Sequence, residues 1–363
     1  MNILILSCNT GQGHNSVAHA IAETLDARGH SWELEDALGF ISHTASKVIS
    51  RGHSFIYCHC PELFQAGYGA VERRPNTMSD KSVIYKFFAL GARDLYDYCM
   101  AHDFDVIICT HVFAAMILTE IRNNWPLSAK CYFVATDYTS YPGVQDTRMD
   151  TYVIPDDRLA DAYTGKATTT SGIPVYQQFF KTMDKKAAKS ALGLNPDSQH
   201  ILVMCGSMGC GPMEEIVEYL NRGMEKGCSL SVICGTNRNL QRKLSEKYRE
   251  NPYVHIHGFV QNVPEFMSSA DVYVTKPGGI STTEAMAQGL PMVLVDAVAS
   301  CEDYNMHYFE ELGSAVSAKA PKDIGQLCLD LVQDEPRRAA MSQAMQTARK
   351  NGAQIICDYL EQH

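Results

Sequence analysis

Short apolar runs recur along the chain, separated by longer stretches in which apolar positions return with a helical period. Residues 3–6, 106–109, 130–135 and 152–154 predict buried strands in the first half, and 201–205, 230–234, 254–257, 272–275 and 292–295 predict them in the second. The intervening patterns at 15–28, 85–101, 213–224, 282–288 and 323–333 predict amphipathic helices. Wholly apolar strands alternating with helices imply parallel sheets covered on both faces. The alternation restarts near residue 200, so the expected class is α/β with two doubly wound, Rossmann-like units. Gly172 and Pro174 punctuate the joint between them, which gives an N-terminal domain of 1–175 and a C-terminal domain of 176–363. A last helical stretch at 338–361 is long enough to pack back on the first domain.

Composition narrows the function classes. The 363 residues carry a net charge of −10, which argues against a whole-protein nucleic-acid binder. No apolar run approaches the ~20 residues that span a bilayer, and the first residues lack the basic and apolar segments of a signal peptide. The 13 cysteines are scattered, many in apolar runs, as expected of reduced thiols in a cytoplasmic protein. Cys58-His59-Cys60 fits no common zinc spacing, and no metal ligands are assigned.

Three strand ends carry glycine-rich turns. The first strand runs into Gly11-Gln12-Gly13-His14, where the glycines allow close backbone approach and the following helix start offers N–H groups to a polar ligand. His14 there is a candidate general base, with capping or packing beside the turn as the competing reading. In the second half, 201–205 leads to Gly206-Ser207-Met208-Gly209, and 272–275 leads to Lys276-Pro277-Gly278-Gly279 followed by Ser281, Thr282 and Glu284. Either loop can cradle a phosphate at a helix N-terminus. A carboxylate one turn into the helix can accept from both hydroxyls of a ribose, although Glu284 alone is equally read as a residue favoured by the helix dipole. Asp103-Phe104-Asp105 is a D-x-D, but it precedes a strand and so sits at the wrong end of a sheet for a metal–diphosphate site.

The run T-K-P-G-G-x-[ST]-x-T-E-A beginning at Thr275 resembles glycosyltransferase family 28. The turn at Gly11–His14, Thr136-Asp137, Gly172-Ile173-Pro174, Gly206–Gly209 and Gly258-Phe259-Val260 resemble the same family. The likeness is to the branch of monogalactosyldiacylglycerol synthases and processive diacylglycerol glucosyltransferases. The resemblance implies a GT-B fold with an interdomain cleft, the UDP-sugar held mainly by the C-terminal domain and the acceptor by the N-terminal domain. It implies that Gly278, Gly279, Ser281 and Thr282, with Lys276, Gly206 and Ser207, line the diphosphate. Glu284 then holds the ribose, Phe259 and Val260 flank the uracil, and Glu302 and Asn305 approach the sugar. His14, next to Gly13, is implied as the base or its close helper, with Asp137 across the cleft assisting. The expected reaction is inverting transfer of a hexose to a lipid such as diacylglycerol, with no metal or other cofactor. Where the family has P-G-Q-E-x-x-N, this chain has Ala299-Ser300-Cys301-Glu302-Asp303-Tyr304-Asn305, so a residue that reads sugar hydroxyls is replaced by Cys301.

Between residues 45 and 94, seven Lys/Arg face four acidic residues, and the stretch also holds seven aromatics, including Tyr85, Phe87 and Phe88. Basic and aromatic residues together suit an anionic membrane surface. The expected location is therefore cytoplasmic, peripheral on the inner face of the cell membrane. Two other readings share the fold: a UDP-N-acetylhexosamine epimerase, and a non-catalytic nucleotide-sugar-binding protein.

Overall fold

The structure, a computed structural model, describes all residues except 10, 43, 45, 50–51, 53–81, 182 and 297–299. Cys58-His59-Cys60 and most of the basic, aromatic stretch (Arg51, Phe55, Tyr57, Phe64, Tyr68, Arg73, Arg74 and Lys81) therefore lie outside the described residues. The chain forms two compact units. Unit one contains Met1–Gln177 and the C-terminal Lys350–His363, and unit two contains Gln178–Ala297 and Glu302–Arg349.

In unit one, β1 (Asn2–Ser7) leads through α1 (Gln12–Ala27) to β2 (Ser31–Asp36). After α2 (Val83–Ala89) and α3 (Ala92–His102) come β3 (Val106–Cys109), α4 (Val112–Asn124), β4 (Lys130–Val134), β5 (Thr151–Ile154) and β6 (Thr168–Thr170). The six strands are parallel in the order β2-β1-β3-β4-β5-β6. Residues 3–6 of β1 are fully buried, the burial a central parallel strand requires. The helical pattern at 85–101 is two helices, because the chain breaks at Leu90-Gly91. Gly91 packs so tightly that a Cβ there would lie 3.0 Å from the Ile41 side chain.

Unit two begins with α5 (Lys185–Ala191) and continues β7 (His200–Val203), α6 (Met213–Gly223), β8 (Ser229–Ile233), α7 (Arg238–Lys247), β9 (Val254–His257), α8 (Val263–Ser269), β10 (Val272–Thr275), α9 (Gly279–Gln288), β11 (Met292–Leu294), α10 (Ser300–Glu311), β12 (Ala315–Ser317), α11 (Pro321–Gln333) and α12 (Glu335–Ala348). Its sheet is also parallel, in the order β12-β11-β10-β7-β8-β9. On α6, Met213, Ile216, Val217 and Leu220 are buried at helical spacing, while Glu214 and Glu215 occupy the first turn where the helix dipole favours them.

The final helix α13 (Gly352–Gln362) belongs to unit one and packs on α1. Arg28 on α1's C-terminal end bonds Asp358 at 2.6 Å and Glu361 at 3.0 Å. Only glycine fits at the start of this helix, since a Cβ on Gly352 would sit 2.6 Å from the Gly172 carbonyl oxygen. The stretch at 338–361 is thus α12 and α13, separated by the turn at Arg349–Asn351.

Among the described residues no helix is long and apolar enough to cross a membrane. Ten described cysteines are free, nine of them buried.

The start of β7, an interior strand of unit two, contains a buried polar network. His200 is fully buried, with Nε2 2.8 Å from the Ser231 hydroxyl and Nδ1 3.0 Å from that of Ser269. Asp271 accepts from the His200 backbone N–H at 2.9 Å and pairs with Lys185 and Lys189. Burial pushes the imidazole down to about 3, so the folded protein holds it neutral. The unfolded chain takes up a proton near pH 6.5, so this site contributes stability above that pH and loses it as pH falls toward 3. The expected outcome is that below pH 6.5 the unfolding free energy of the wild type falls more steeply than that of His200→Gln, by roughly 1 kcal/mol per pH unit. Urea unfolding of both proteins from pH 7 to 5 checks it.

Candidate functional site

Each sheet has one place where successive crossovers leave in opposite directions. There the loops diverge and open a crevice at the carboxyl ends of the strands. In unit one it lies between β1 and β3, and in unit two between β7 and β10. The glycine turns read from the sequence follow β1, β7 and β10, three of the four strands concerned.

In unit one, the turn after β1 is held by side chains. Ser7 donates to Asn15 at 2.6 Å, Asn15 donates to Asn9 at 2.8 Å, and Asn9 donates to Asp36 at 2.9 Å. His14 is half-buried in the first turn of α1. Its Nδ1 lies 2.9 Å from the Thr110 carbonyl oxygen, just past the end of β3. A carbonyl only accepts, so Nδ1 carries the proton and Nε2 keeps the lone pair. His111 stands beside it, ring centroids 4.4 Å apart and edge to face. Its Nδ1 accepts from the Phe113 N–H at 3.1 Å as the cap of α4, so its neutral form carries the proton on Nε2. Two neighbouring imidazoles are thus set in opposite tautomers.

The loop after β4 reaches the same place. Thr136 Oγ1 lies 3.1 Å from His14 Nδ1 and 2.5 Å from the Tyr141 hydroxyl, which in turn donates to Asp137. Asp137 therefore connects to His14 through two hydroxyls within unit one. Burial, and then the charge of Asp137, push the Tyr141 phenol well above its ordinary range, so it is a neutral donor. Asp103 and Asp105 lie at the opposite end of the sheet, where Asp105 accepts from the backbone N–H of Asn2.

In unit two, the loop after β7 needs left-handed backbone at Gly206, Gly209 and Gly211 (φ +70°, +57° and +105°). The turn after β8 clamps it. The Thr236 N–H donates to the Ser207 carbonyl at 2.9 Å, and Asn237 Nδ2 donates to the Gly209 carbonyl at 3.0 Å. The loop after β10 leads into α9 with Gly278 as N-cap, a residue with no side chain to cap the first turn. A Cβ on Gly278 would meet nothing within 4 Å, so a ligand can approach the backbone there. Thr282 is fully buried and donates to the Gly278 carbonyl at 2.8 Å, and Thr283 donates to that of Gly279 at 2.6 Å. These hydroxyls stiffen the helix start. Lys276 and Glu302 are nearly buried and 3.7 Å apart, and fully buried Asn305 donates to the Pro277 carbonyl at 2.9 Å. Glu284 is half-buried, Ser281 also, and burial pushes the Glu284 carboxyl up to about 8. Phe259 is exposed and Val260 half-buried past the end of β9, the edge strand.

Thus Gly206, Ser207, Lys276, Gly278, Gly279, Ser281, Thr282, Glu284, Glu302 and Asn305 come from the two loops and helices at unit two's crevice. Phe259 and Val260 follow β9, which β7 and β8 separate from β10. Gly13, His14 and Asp137 belong to unit one. His111, Thr136 and Tyr141 were not singled out from the sequence as site residues. Among the described residues, no group of three His, Cys, Asp or Glu is placed to hold a metal.

The same arrangement of two parallel-sheet units occurs in solved glycosyltransferases. MurG of Acinetobacter baumannii superposes with a TM-score of 0.67 at 14% identity, over 100% of this chain and 99% of that one. HepE of Anabaena, solved with UDP-glucose, gives 0.58 at 14% identity over 100% of both chains. These likenesses establish the GT-B fold. Residues 14–176 match the family model for monogalactosyldiacylglycerol (MGDG) synthase, and 215–348 match that for glycosyl transferases group 1. A processive diacylglycerol beta-glucosyltransferase of Bacillus pumilus is 27% identical over 99% of this chain and 94% of its own. One from Staphylococcus carnosus is 28% identical over 95% and 88%. The chain is similar to this glycosyltransferase branch along nearly its whole length, across both units.

The clamp on the glycine loop can be broken from a distance. Gly235 has φ +56°, and a Cβ there would lie 2.1 Å from the Ser207 carbonyl oxygen. Left-handed backbone alone costs an alanine about 1 kcal/mol, before the clash. Gly235→Ala is therefore expected to lower the thermal midpoint by at least roughly 2–4 °C, which differential scanning calorimetry measures.

Proposed function

We propose that this protein transfers a hexose from a UDP-sugar to a diacylglycerol-type lipid, with inversion at the anomeric carbon. One observation carries the reading. The imidazole at unit one's crevice is locked with Nε2 as an acceptor, the state a general base needs, on a chain whose other unit presents a glycine-lined helix start for a diphosphate. The names of the relatives, which act on diacylglycerol, support the acceptor.

In this reading the acceptor hydroxyl attacks the anomeric carbon from the face opposite UDP, and His14 Nε2 takes its proton, with Gly13 beside it in the turn. The carbon–oxygen bond to the diphosphate breaks as the new glycosidic bond forms. The backbone around Gly206, Ser207, Gly278 and Gly279, with Ser281 and Lys276, stabilises the charge on the leaving UDP. Thr282 supports this turn from behind. Glu284 holds the ribose, Phe259 and Val260 flank the uracil, and Glu302 and Asn305 approach the sugar. No step in this scheme calls for a metal.

The lipid surface fits a stripe on α2. Val83, Ile84, Phe87 and Leu90 are exposed, Tyr85 and Phe88 are turned into the core, and Lys86 and Arg93 lie exposed beside the stripe. Apolar residues flanked by cations suit an anionic bilayer surface, which supports the reading of peripheral binding on the cytoplasmic side.

The test is incubation of purified protein with each UDP-sugar and anionic vesicles containing diacylglycerol, with lipids analysed by mass spectrometry. A hexosyl-lipid is expected, falling at least ~10²-fold in His14→Ala. UDP binding without product from any donor would overturn the reading. A second outcome concerns pH. Ribose hydroxyls donating to Glu284 favour its carboxylate, so UDP binding should release a proton below pH 8. Affinity should tighten as pH rises from 6.5 to 8, by at most about tenfold per unit, and Glu284→Gln should flatten this dependence in calorimetric titrations.

A further inference from the structure

The hydrogen bonds around His14 have only one consistent direction. Asp137 as a carboxylate only accepts, so the Tyr141 hydroxyl donates to it. The Tyr141 oxygen then accepts from the Thr136 hydroxyl at 2.5 Å. Thr136 Oγ1, its proton committed, accepts from His14 Nδ1–H at 3.1 Å, a hydrogen that the Thr110 carbonyl shares at 2.9 Å. The chain runs from imidazole to carboxylate, with every donor and acceptor assigned by its two ends.

From this geometry we infer that Thr136 and Tyr141 are positioning residues that carry the influence of the Asp137 charge to His14. The inference rests on the reading of His14 as the base. Where a histidine touches its carboxylate directly, one bond fixes the tautomer and stabilises the imidazolium. Here the same two tasks fall to a relay of two hydroxyls. When Nε2 takes a proton, Nδ1–H becomes a stronger donor, and each bond along the relay shortens toward Asp137. No proton leaves Nδ1, and Asp137 stays ionised. Neutral Tyr141 is required, and burial together with the Asp137 charge keeps it so. Thr136 is almost wholly buried, so water does not compete for its hydroxyl. Among the described residues a second imidazole stands against His14, that of His111, whose Nδ1 accepts from the Phe113 N–H.

The test uses three variants of the full chain: Tyr141→Phe, Thr136→Val and Thr136→Ser. The first two remove one hydroxyl each while keeping shape, and the third keeps the hydroxyl. Nitrogen-15 NMR of the His14 ring reports tautomer and titration midpoint without any substrate, so it stands even if no lipid product is ever found. In the wild type the neutral ring is expected in the Nδ1–H form. The midpoint should fall by about half a pH unit or more in Tyr141→Phe and in Thr136→Val, because the imidazolium loses its link to the negative charge. Thr136→Ser should restore it. In the transferase assay the acidic limb of kcat/KM should move with the midpoint, and kcat should drop roughly tenfold at unchanged KM for the donor. A His14 midpoint equal to wild type in a folded Tyr141→Phe protein would overturn the relay. So would loss of the midpoint shift in Thr136→Val while Tyr141→Phe retains it, since both hydroxyls must act in series. Absence of transfer with the NMR shifts intact would instead overturn the function and leave the relay standing.

Discussion

The structure depends on the divergence of crossovers at one point in each parallel sheet. A right-handed crossover leaves each strand's carboxyl end toward one flank of the sheet, and where the flank changes, two neighbouring loops part. No side chain has to open that crevice, because the order of strands does. Between β1 and β3 the parting brings the α1 N-terminus against the Thr110 carbonyl. Between β7 and β10 it sets two glycine turns beside one helix start. The glycines are a response to this geometry, since they let backbone rather than side chains line the space.

The two crevices differ electrostatically. Unit two combines a helix start without a side-chain cap and the Lys276 ammonium, whose charge is balanced by Glu302. Such a site favours an anion yet carries little net charge when empty. Unit one combines imidazoles, hydroxyls and one carboxylate, groups suited to handling a proton. The division follows from what the strands deliver: polar side chains after β4 in one case, glycines and a lysine in the other.

Much of this was legible in the sequence. Nine strands were read, most of them as apolar runs, since a buried parallel strand exposes neither face. The three that went unread, β2, β6 and β12, all lie at sheet edges, where half-exposed residues such as those of Ser31–Asp36 break the pattern. The glycine turns and His14 were visible because a turn is a local event. The relay was not, because Thr136 and His14 are 122 residues apart and each hydroxyl, taken alone, is an ordinary loop residue. His111 was hidden likewise, as a helix cap. The resemblance implied that Thr282 lines the diphosphate; its side chain is buried and donates to the Gly278 carbonyl.

The return of α13 to unit one has a bearing on how the protein is made. Unit two is threaded through the sequence of unit one, so the first sheet leaves the ribosome long before the helix that covers α1. During that interval the apolar side of α1 that Ile356, Cys357 and Leu360 will cover has only transient partners, and Arg28 has no carboxylates to meet. Unit one therefore reaches its final form only after unit two has been synthesised.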